Sequence, residues 1–129
     1  MKLLLDTHVV LWATRAPEAL SKTATVLLAE TDNELLLSPV VVWEMAIKHQ
    51  LGKLPEAQPL LADLATVRRD LRTAPLPIND EHALLAGTMN WAHKDPFDRM
   101  LAAQAMLAGA VILSVDTAFD DVPGLSRMW

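Results

Sequence analysis

The chain of 129 residues contains no cysteine, which excludes disulfide bonds, thiolate metal sites and cysteine nucleophiles. It also lacks an excess of basic residues, because 16 acidic residues outnumber 11 lysines and arginines and give a net charge of −5. This balance excludes a diffuse basic surface for nucleic acid and a polybasic membrane anchor. No apolar run approaches the ~20 residues that span a bilayer, and Asp6 interrupts the N-terminal leucines too early for a signal peptide. We therefore expect a cytoplasmic protein with no membrane segment.

Linkers, internal repeats and low-complexity tracts are absent as well. The hydrophobic fraction of 52% excludes a disordered chain, and the length is that of one domain of ordinary size. The sequence therefore predicts a single domain over residues 1–129.

Short apolar runs alternate along the chain with stretches of helical periodicity. The runs predict strands at 3–5, 35–37, 74–78, 110–115 and 125–129. The periodic stretches predict helices near 9–13, 18–31, 39–52, 60–71, 80–91 and 96–109. Strands that are apolar on both faces belong to a parallel sheet covered by helices. We therefore predict an α/β fold, a three-layer sandwich in which helices cover both faces of a small, mostly parallel, five-stranded sheet.

Acidic residues follow the predicted strands. Asp6 and Asp116 come directly after the first and fourth strands. Glu44 lies in the helix after the second strand, and Asp98 lies in the first turn of the last long helix. Because the carboxyl ends of parallel strands meet at one edge, we expect these acids to converge there. Carboxylates gathered in this way repel one another unless a hard cation such as Mg²⁺ or Mn²⁺ neutralises them, which predicts a metal site suited to phosphodiester hydrolysis.

The same acids have purely structural interpretations. Asp6, Asp95 and Asp116 are suited to cap the helices that follow them, and Asp98 would favour a helix N-terminus. Two alternatives to a metal nuclease therefore remain at this point. One is a phosphotransfer α/β domain with a phosphoryl-accepting aspartate at a strand end, and the other is a non-enzymatic dimeric interaction module.

Five polar or basic neighbours of the acids could support them. Thr7, Ser38 and Ser114 lie at strand ends, where their hydroxyl groups could hydrogen-bond the carboxylates. Lys48 could form an i,i+4 pair that orients Glu44, or it could contact a phosphate. Arg99 could pair with a backbone phosphate or form a surface salt bridge. The histidines lack metal-ligand spacing, and of the four we expect only one near the site: His8, rather than His49, His82 or His93.

Several segments, taken in order, resemble the PIN-domain ribonucleases, and specifically the VapC toxins of bacterial type II toxin–antitoxin modules. The resemblance covers essentially the whole chain and rests on LLDTH (4–8), WEMAIK (43–48), LGKL (51–54), DPFDR (95–99), AAQA (102–105) and SVD (114–116). The WEMAIK block together with DPFDR is the most specific part. The family more often has threonine where this chain has Ser114, and the hydroxyl group is kept.

The resemblance implies a PIN-like fold and a function. By position, the family's four acidic metal-site residues correspond to Asp6, Glu44, Asp98 and Asp116, with Asp95 as a cap or a supporting acid. It implies an Mg²⁺- or Mn²⁺-dependent endoribonuclease that hydrolyses RNA with a metal-activated water. It also implies a homodimer that a small antitoxin protein inhibits.

Overall fold

All residues from 1 to 129 are described by the computed structural model. Five strands form one sheet in the order β3-β2-β1-β4-β5, and every neighbouring pair is parallel. The strands are β1 (Lys2–Leu5), β2 (Glu34–Leu37), β3 (Thr73–Pro75), β4 (Val111–Leu113) and β5 (Arg127–Met128). The prediction of a mostly parallel five-stranded sheet between helical layers is confirmed, and the sheet is fully parallel.

Seven helices cover the sheet. They are α1 (Thr7–Arg15), α2 (Lys22–Ala29), α3 (Pro39–Gln50), α4 (Gln58–Ala62), α5 (Leu64–Asp70), α6 (Asp80–Thr88) and α7 (Pro96–Ala108). The helix predicted over 60–71 is wrong as one element. Asp63 interrupts it, because the Asp63 carboxylate accepts a hydrogen bond from the Thr66 amide and starts α5 as a separate helix. No helix is long and apolar enough to cross a membrane.

The leucine runs form the centre of the core. The residues Leu3–Leu5 of β1 are fully buried, and the leucines of β2 are at most 5% exposed. Strands covered by helices on both faces read as continuous apolar runs, which is why the sequence showed no alternation. Each such leucine contributes roughly 1.5–3 kcal/mol by burial. The sheet is therefore a rigid base for the loops that follow its carboxyl edge.

The chain order of the strands places a crevice beside β1. After β1 the chain adds β2 and β3 on one side and then returns to add β4 and β5 on the other. Ligands of open α/β sheets bind where the strand order reverses in this way. Asp6 lies at this point, and its amide donates to the Leu113 carbonyl of β4 over 3.1 Å. The geometry of the sheet thus selects the carboxyl ends of β1 and β4 as the candidate site.

Ser38 starts the helix that carries Glu44. Its side chain is fully buried and accepts a hydrogen bond from the Val40 amide over 3.1 Å, and Pro39 follows at the first helical position. We expect Ser38→Ala to lower the free energy of unfolding by about 1 kcal/mol, the usual effect of losing a cap. Urea denaturation measures this, with the exposed Ser126→Ala as the control. Equal stability of the two variants would contradict the assignment.

Candidate metal centre

Asp6 is held in a fixed orientation at the start of α1. One carboxylate oxygen accepts from the Thr7 amide at 2.7 Å, and the other accepts from the Ser114 hydroxyl at 2.5 Å. Burial raises the pKa of Asp6, the two hydrogen bonds lower it in part, and the charge of Glu44 raises it further. Asp6 is therefore both a helix cap, as the structural interpretation predicts, and a buried acid at the carboxyl edge of the sheet.

Glu44 lies in the middle of α3 and is only 4% exposed. Its Oε1 accepts from the Thr7 hydroxyl at 2.5 Å, and its Oε2 accepts from the Lys48 ammonium group. The i,i+4 pair with Lys48 is confirmed, but it lies at a buried carboxylate and not on a solvent-facing stripe. Thr7 contacts both acids, since its amide binds Asp6 and its hydroxyl binds Glu44. These two acids are consequently parts of one hydrogen-bonded site.

Asp98 lies in the first turn of α7 and is 8% exposed. Its Oδ2 is 2.6 Å from the Nε2 of His93. Burial raises the pKa of Asp98 to about 6, and the hydrogen bond with His93 opposes this shift. The charges of Asp95, Asp6 and Glu44 raise this pKa further. Three buried carboxylates from distant parts of the sequence therefore act on one another electrostatically.

Asp116 lies at the rim of the same site. Its carboxylate is exposed and accepts from the Ala118 amide at 2.9 Å, which caps the short 3₁₀ turn Thr117–Asp121. Its own amide donates to the Ser114 hydroxyl at 3.0 Å, and that hydroxyl donates in turn to Asp6. A single buried serine therefore links Asp116 to Asp6, while the carboxylate of Asp116 contacts none of the other acids in this structure.

Asp95 is the cap that the sequence predicts. Its Oδ1 accepts from the amides of Phe97 at 2.9 Å and Asp98 at 3.3 Å. It also belongs to the one group of three potential ligand residues whose donor atoms lie within 4.8 Å of one another, with His93 and Asp98. Asp95 thus caps α7 and adds negative charge beside Asp98.

Lys48 interacts electrostatically with three of these acids. Burial lowers its pKa, but the hydrogen bond and charge of Glu44 outweigh this, and the charges of Asp95 and Asp98 add to the effect, so the pKa of Lys48 is raised. Lys48 is therefore a permanent cation that partly neutralises the cluster. Its hydrogen bond goes to Glu44, as the orienting role requires.

Arg99 does not form the surface salt bridge that the sequence allows. Its guanidinium group donates to the carbonyl groups of four residues at 2.7–3.0 Å, and it makes no ion pair. These four residues are Ala86, Met89, Trp91 and His93. The surface salt bridge is wrong, and the phosphate contact stays a prediction, with four of the five N–H groups of the guanidinium already engaged. Arg99 instead fastens the loop between α6 and α7 to the helix that carries Asp98.

His93 corrects the prediction that only His8 lies near the site. His8 is exposed and packs against the Trp12 ring, although its charge does lower the pKa of Asp6. His93 hydrogen-bonds Asp98 directly. His82 is locally bonded as expected, since its Nδ1 accepts from the Asn79 amide at the start of α6. The position of His93 two residues before the Asp95 cap is the signal that could have located it, because such a loop folds back on the first helical turn.

The donor set fits a hard divalent cation. Asp6, Glu44 and Asp98 offer only carboxylate oxygens, the ligands that Mg²⁺ and Mn²⁺ prefer. Burial is the main cause of the raised pKa of Asp98, and the negative charges of Asp95, Asp6 and Glu44 add to it, so these acids repel one another. A cation at this place would remove that repulsion, so the residues present suit a metal chemically.

Comparison with known proteins agrees with this architecture. Ribonuclease VapC16 of Mycobacterium tuberculosis is 33% identical over 67 residues, which cover 52% of this chain and 47% of that protein. The match thus spans about half the length of this curated relative. VapBC2 from Rickettsia felis, solved with a promoter DNA fragment, has the same fold, with a TM-score of 0.68 at 15% identity over 99% of this chain and 98% of that chain. FitAcB from Neisseria gonorrhoeae gives 0.67 at 17% identity over 98% and 96%.

A family model decides the membership more directly than these individual relatives. The model of the PIN domain matches residues 3–125, from the first buried leucine of β1 to the segment before β5. The matched range contains each of the acids described above, the point beside β1 at which the strand order reverses, and α7. The chain belongs to the PIN domain family.

Proposed function

We propose that this protein is a metal-dependent endoribonuclease that acts as a VapC-type toxin. The observation that carries the proposal is that Asp6, Glu44 and Asp98 are buried carboxylates whose charges act on one another. The partial match to a relative named as a ribonuclease supports the same activity.

The residues of the site have distinct roles in this proposal. Asp6, Glu44, Asp98 and Asp116 would hold one or two Mg²⁺ or Mn²⁺ ions. Such an ion, when bound, supplies a Lewis acid for the scissile phosphate and activates a water for its attack. Asp98 must be ionised to act as a ligand, so a cation competes with the proton that the raised pKa of Asp98 favours, and cation binding is expected to strengthen as the pH rises. No side chain of the chain acts as a nucleophile.

Hydrogen bonds within the chain prepare the carboxylates for this role. Thr7 restrains Asp6 and Glu44 together, and Ser114 restrains Asp6 from the side of β4. Lys48 places a positive charge beside Glu44 and so limits the repulsion among the acids. The site is therefore positioned before a cation arrives, which reduces the cost of ordering the ligands on binding.

An interaction module whose acids serve only as caps accounts for part of the site. Asp6, Asp95 and Asp116 do cap the elements that follow them. Glu44 lies mid-helix, however, and the Asp98 carboxylate hydrogen-bonds His93 and caps no helix. Burying carboxylates that cap no helix is costly even when they are paired, and this favours a functional site.

The phosphotransfer alternative needs a lysine near the last strands of the sheet. Residues 109–129 contain no lysine, and Lys94 is exposed in the loop before α7. We therefore favour hydrolysis over phosphoryl acceptance.

The proposed partners are an RNA substrate, a small antitoxin and a second copy of this chain. Structures of VapBC and FitAcB assemblies with the same fold support an antitoxin partner. The acidic composition is compatible with RNA, because the chain has 11 bases and 16 acids, of which five lie in the cluster of Asp6, Glu44, Asp95, Asp98 and Asp116. A cytoplasmic location and a single domain over 1–129 stay predictions.

Cation binding to the folded site tests the proposal independently of any substrate. We expect Mn²⁺ to raise the melting temperature, because an ion at about 100 times its dissociation constant stabilises the folded state by roughly 2.7 kcal/mol. The same titration of Asp98→Asn is expected to show a much smaller shift. Differential scanning calorimetry measures both proteins, and an equal shift in the two would contradict a site that contains Asp98.

A further inference from the structure

His93 makes one polar side-chain contact, and that contact is with a proposed metal ligand. Its Nε2 lies 2.6 Å from Oδ2 of Asp98. An ionised carboxylate only accepts hydrogen bonds, so Nε2 carries the proton when Asp98 is ionised. Oδ1 of Asp98 accepts no hydrogen bond from the chain and is not enclosed, since Gln104 Oε1 is the only buried side-chain atom without a partner. One oxygen of Asp98 is therefore restrained and the other is available.

The backbone of His93 is held in place independently of Asp98. Arg99 donates to the carbonyl groups of His93 at 3.0 Å and Trp91 at 2.7 Å. Further hydrogen bonds from Arg99 go to Met89, at the start of the same loop, and to Ala86 in the last turn of α6. The loop that carries His93 is consequently clamped to α7, the helix that carries Asp98.

The imidazole ring of His93 is supported from its other side. The Trp91 ring packs against it with centroids 4.7 Å apart and an interplanar angle of 35°. Trp91 packs in turn against Phe119, which is fully buried. The ring orientation is thus set by the core as well as by the backbone clamp, and the imidazole cannot turn freely away from Asp98.

We propose that His93 is a positioning residue that holds Oδ2 of Asp98 and presents Oδ1 of Asp98 to the cation. The inference rests on the proposed metal-dependent function and assigns to that site a residue outside its four acids. Hydrogen bonds to ligand groups raise metal affinity, and their loss weakens it by roughly 10–100-fold. His93 therefore acts on cation affinity and not on the chemical step.

Two variants of His93 with comparable size separate the hydrogen bond from the packing. His93→Leu fills the space beside Trp91 without a donor, whereas His93→Gln keeps an N–H group. Isothermal titration calorimetry with Mn²⁺ is expected to show a dissociation constant roughly 10–100-fold larger for His93→Leu than for wild type. His93→Gln is expected to bind Mn²⁺ nearly as tightly as wild type. RNA cleavage by His93→Leu is expected to recover at saturating Mn²⁺. His49→Leu, a half-buried histidine without a side-chain hydrogen bond, is the control.

The outcomes separate this inference from the function on which it rests. Wild-type protein that binds Mn²⁺ and cleaves RNA, with His93→Leu binding equally well, overturns the role of His93 alone. Binding that is as weak in His93→Gln as in His93→Leu also overturns it, because the imidazole would then be needed as a ligand itself. Wild-type protein that neither binds Mn²⁺ nor cleaves RNA overturns the proposed function and this inference together.

Discussion

Asp98→Asn is expected to reduce RNA cleavage by at least about 100-fold. Losing a group that only hydrogen-bonds a metal ligand costs up to about 100-fold, and losing the ligand itself should cost more. The amide keeps the size of the side chain and can still accept a hydrogen bond from His93, but it removes the negative charge that a cation requires. Cleavage of a labelled RNA at saturating Mn²⁺ measures the loss. The exposed Asp32→Asn is the control and is expected to behave as wild type.

The same Asp98→Asn variant is expected to be more stable than wild type when metal is absent. The pKa of Asp98 is raised from 3.8 to about 6, so the folded protein holds a proton that the unfolded chain releases. Below pH 3.8 the acid is protonated in both states and contributes no difference. As the pH rises from 3.8 to about 6, the wild type loses stability that the neutral amide does not lose, and above 6 the difference stays constant. We expect the variant to be about 1–2 kcal/mol more stable at pH 7.5, since solvent screens part of the shift.

Urea denaturation in the presence of a chelator at pH 3.5 and pH 7.5 measures this gain. Loss of cleavage together with a gain of stability is what a functional carboxylate gives, since such an acid is costly to bury. A loss of stability at pH 7.5 would show that Asp98 serves the fold, and the metal-site assignment would fail for this residue.

Arg99→Met is expected to lower the free energy of unfolding by about 3–5 kcal/mol. The change removes four hydrogen bonds from a charged donor to backbone carbonyl groups, each worth roughly 1.5–3 kcal/mol and not fully additive. Methionine keeps most of the apolar part of the side chain, so the loss of stability measures the contribution of the guanidinium group. Urea denaturation measures it.

Arg69→Met is the matched control for Arg99→Met. Arg69 pairs with Asp70 across an exposed surface, where both side chains are more than half accessible. Its removal is expected to change stability by less than about 0.5 kcal/mol. Similar effects of the two substitutions would contradict the clamp that Arg99 forms on the loop between α6 and α7.

The sheet and its helices could be predicted from local patterns. The leucine runs of β1 and β2, and the Ser38-Pro39 pair that starts α3, act through burial and capping, which need no knowledge of distant residues. The division of the helix over 60–71 was missed, because a capping aspartate inside a periodic stretch leaves the apolar pattern intact. The Asp63 side chain accepts a hydrogen bond from a backbone amide and so interrupts the helix, an effect that the spacing of the leucines does not reveal.

The convergence of acids followed from topology, whereas the contacts of Arg99 and His93 did not. Asp6 and Glu44 meet because parallel strands share an edge, which the alternation of elements implies. Arg99 finds its partners in a loop whose path depends on the packing of α6 on α7. His93 reaches Asp98 because that loop is held by Arg99, so its contact depends on tertiary structure that local sequence patterns do not show. The metal-ligand roles of all four acids stay predictions, and Asp116, with its exposed carboxylate at the rim, is the least restrained of them.

Cleavage of RNA with and without a chelator, followed by analysis of the product ends, tests the central claim most directly. A water activated by a cation yields linear phosphate ends, and we expect these ends only, with cleavage that stops on chelation and returns when Mn²⁺ or Mg²⁺ is added in excess. Cleavage that survives chelation, or products with 2′,3′-cyclic phosphate ends, would contradict a metal-dependent hydrolysis at Asp6, Glu44 and Asp98.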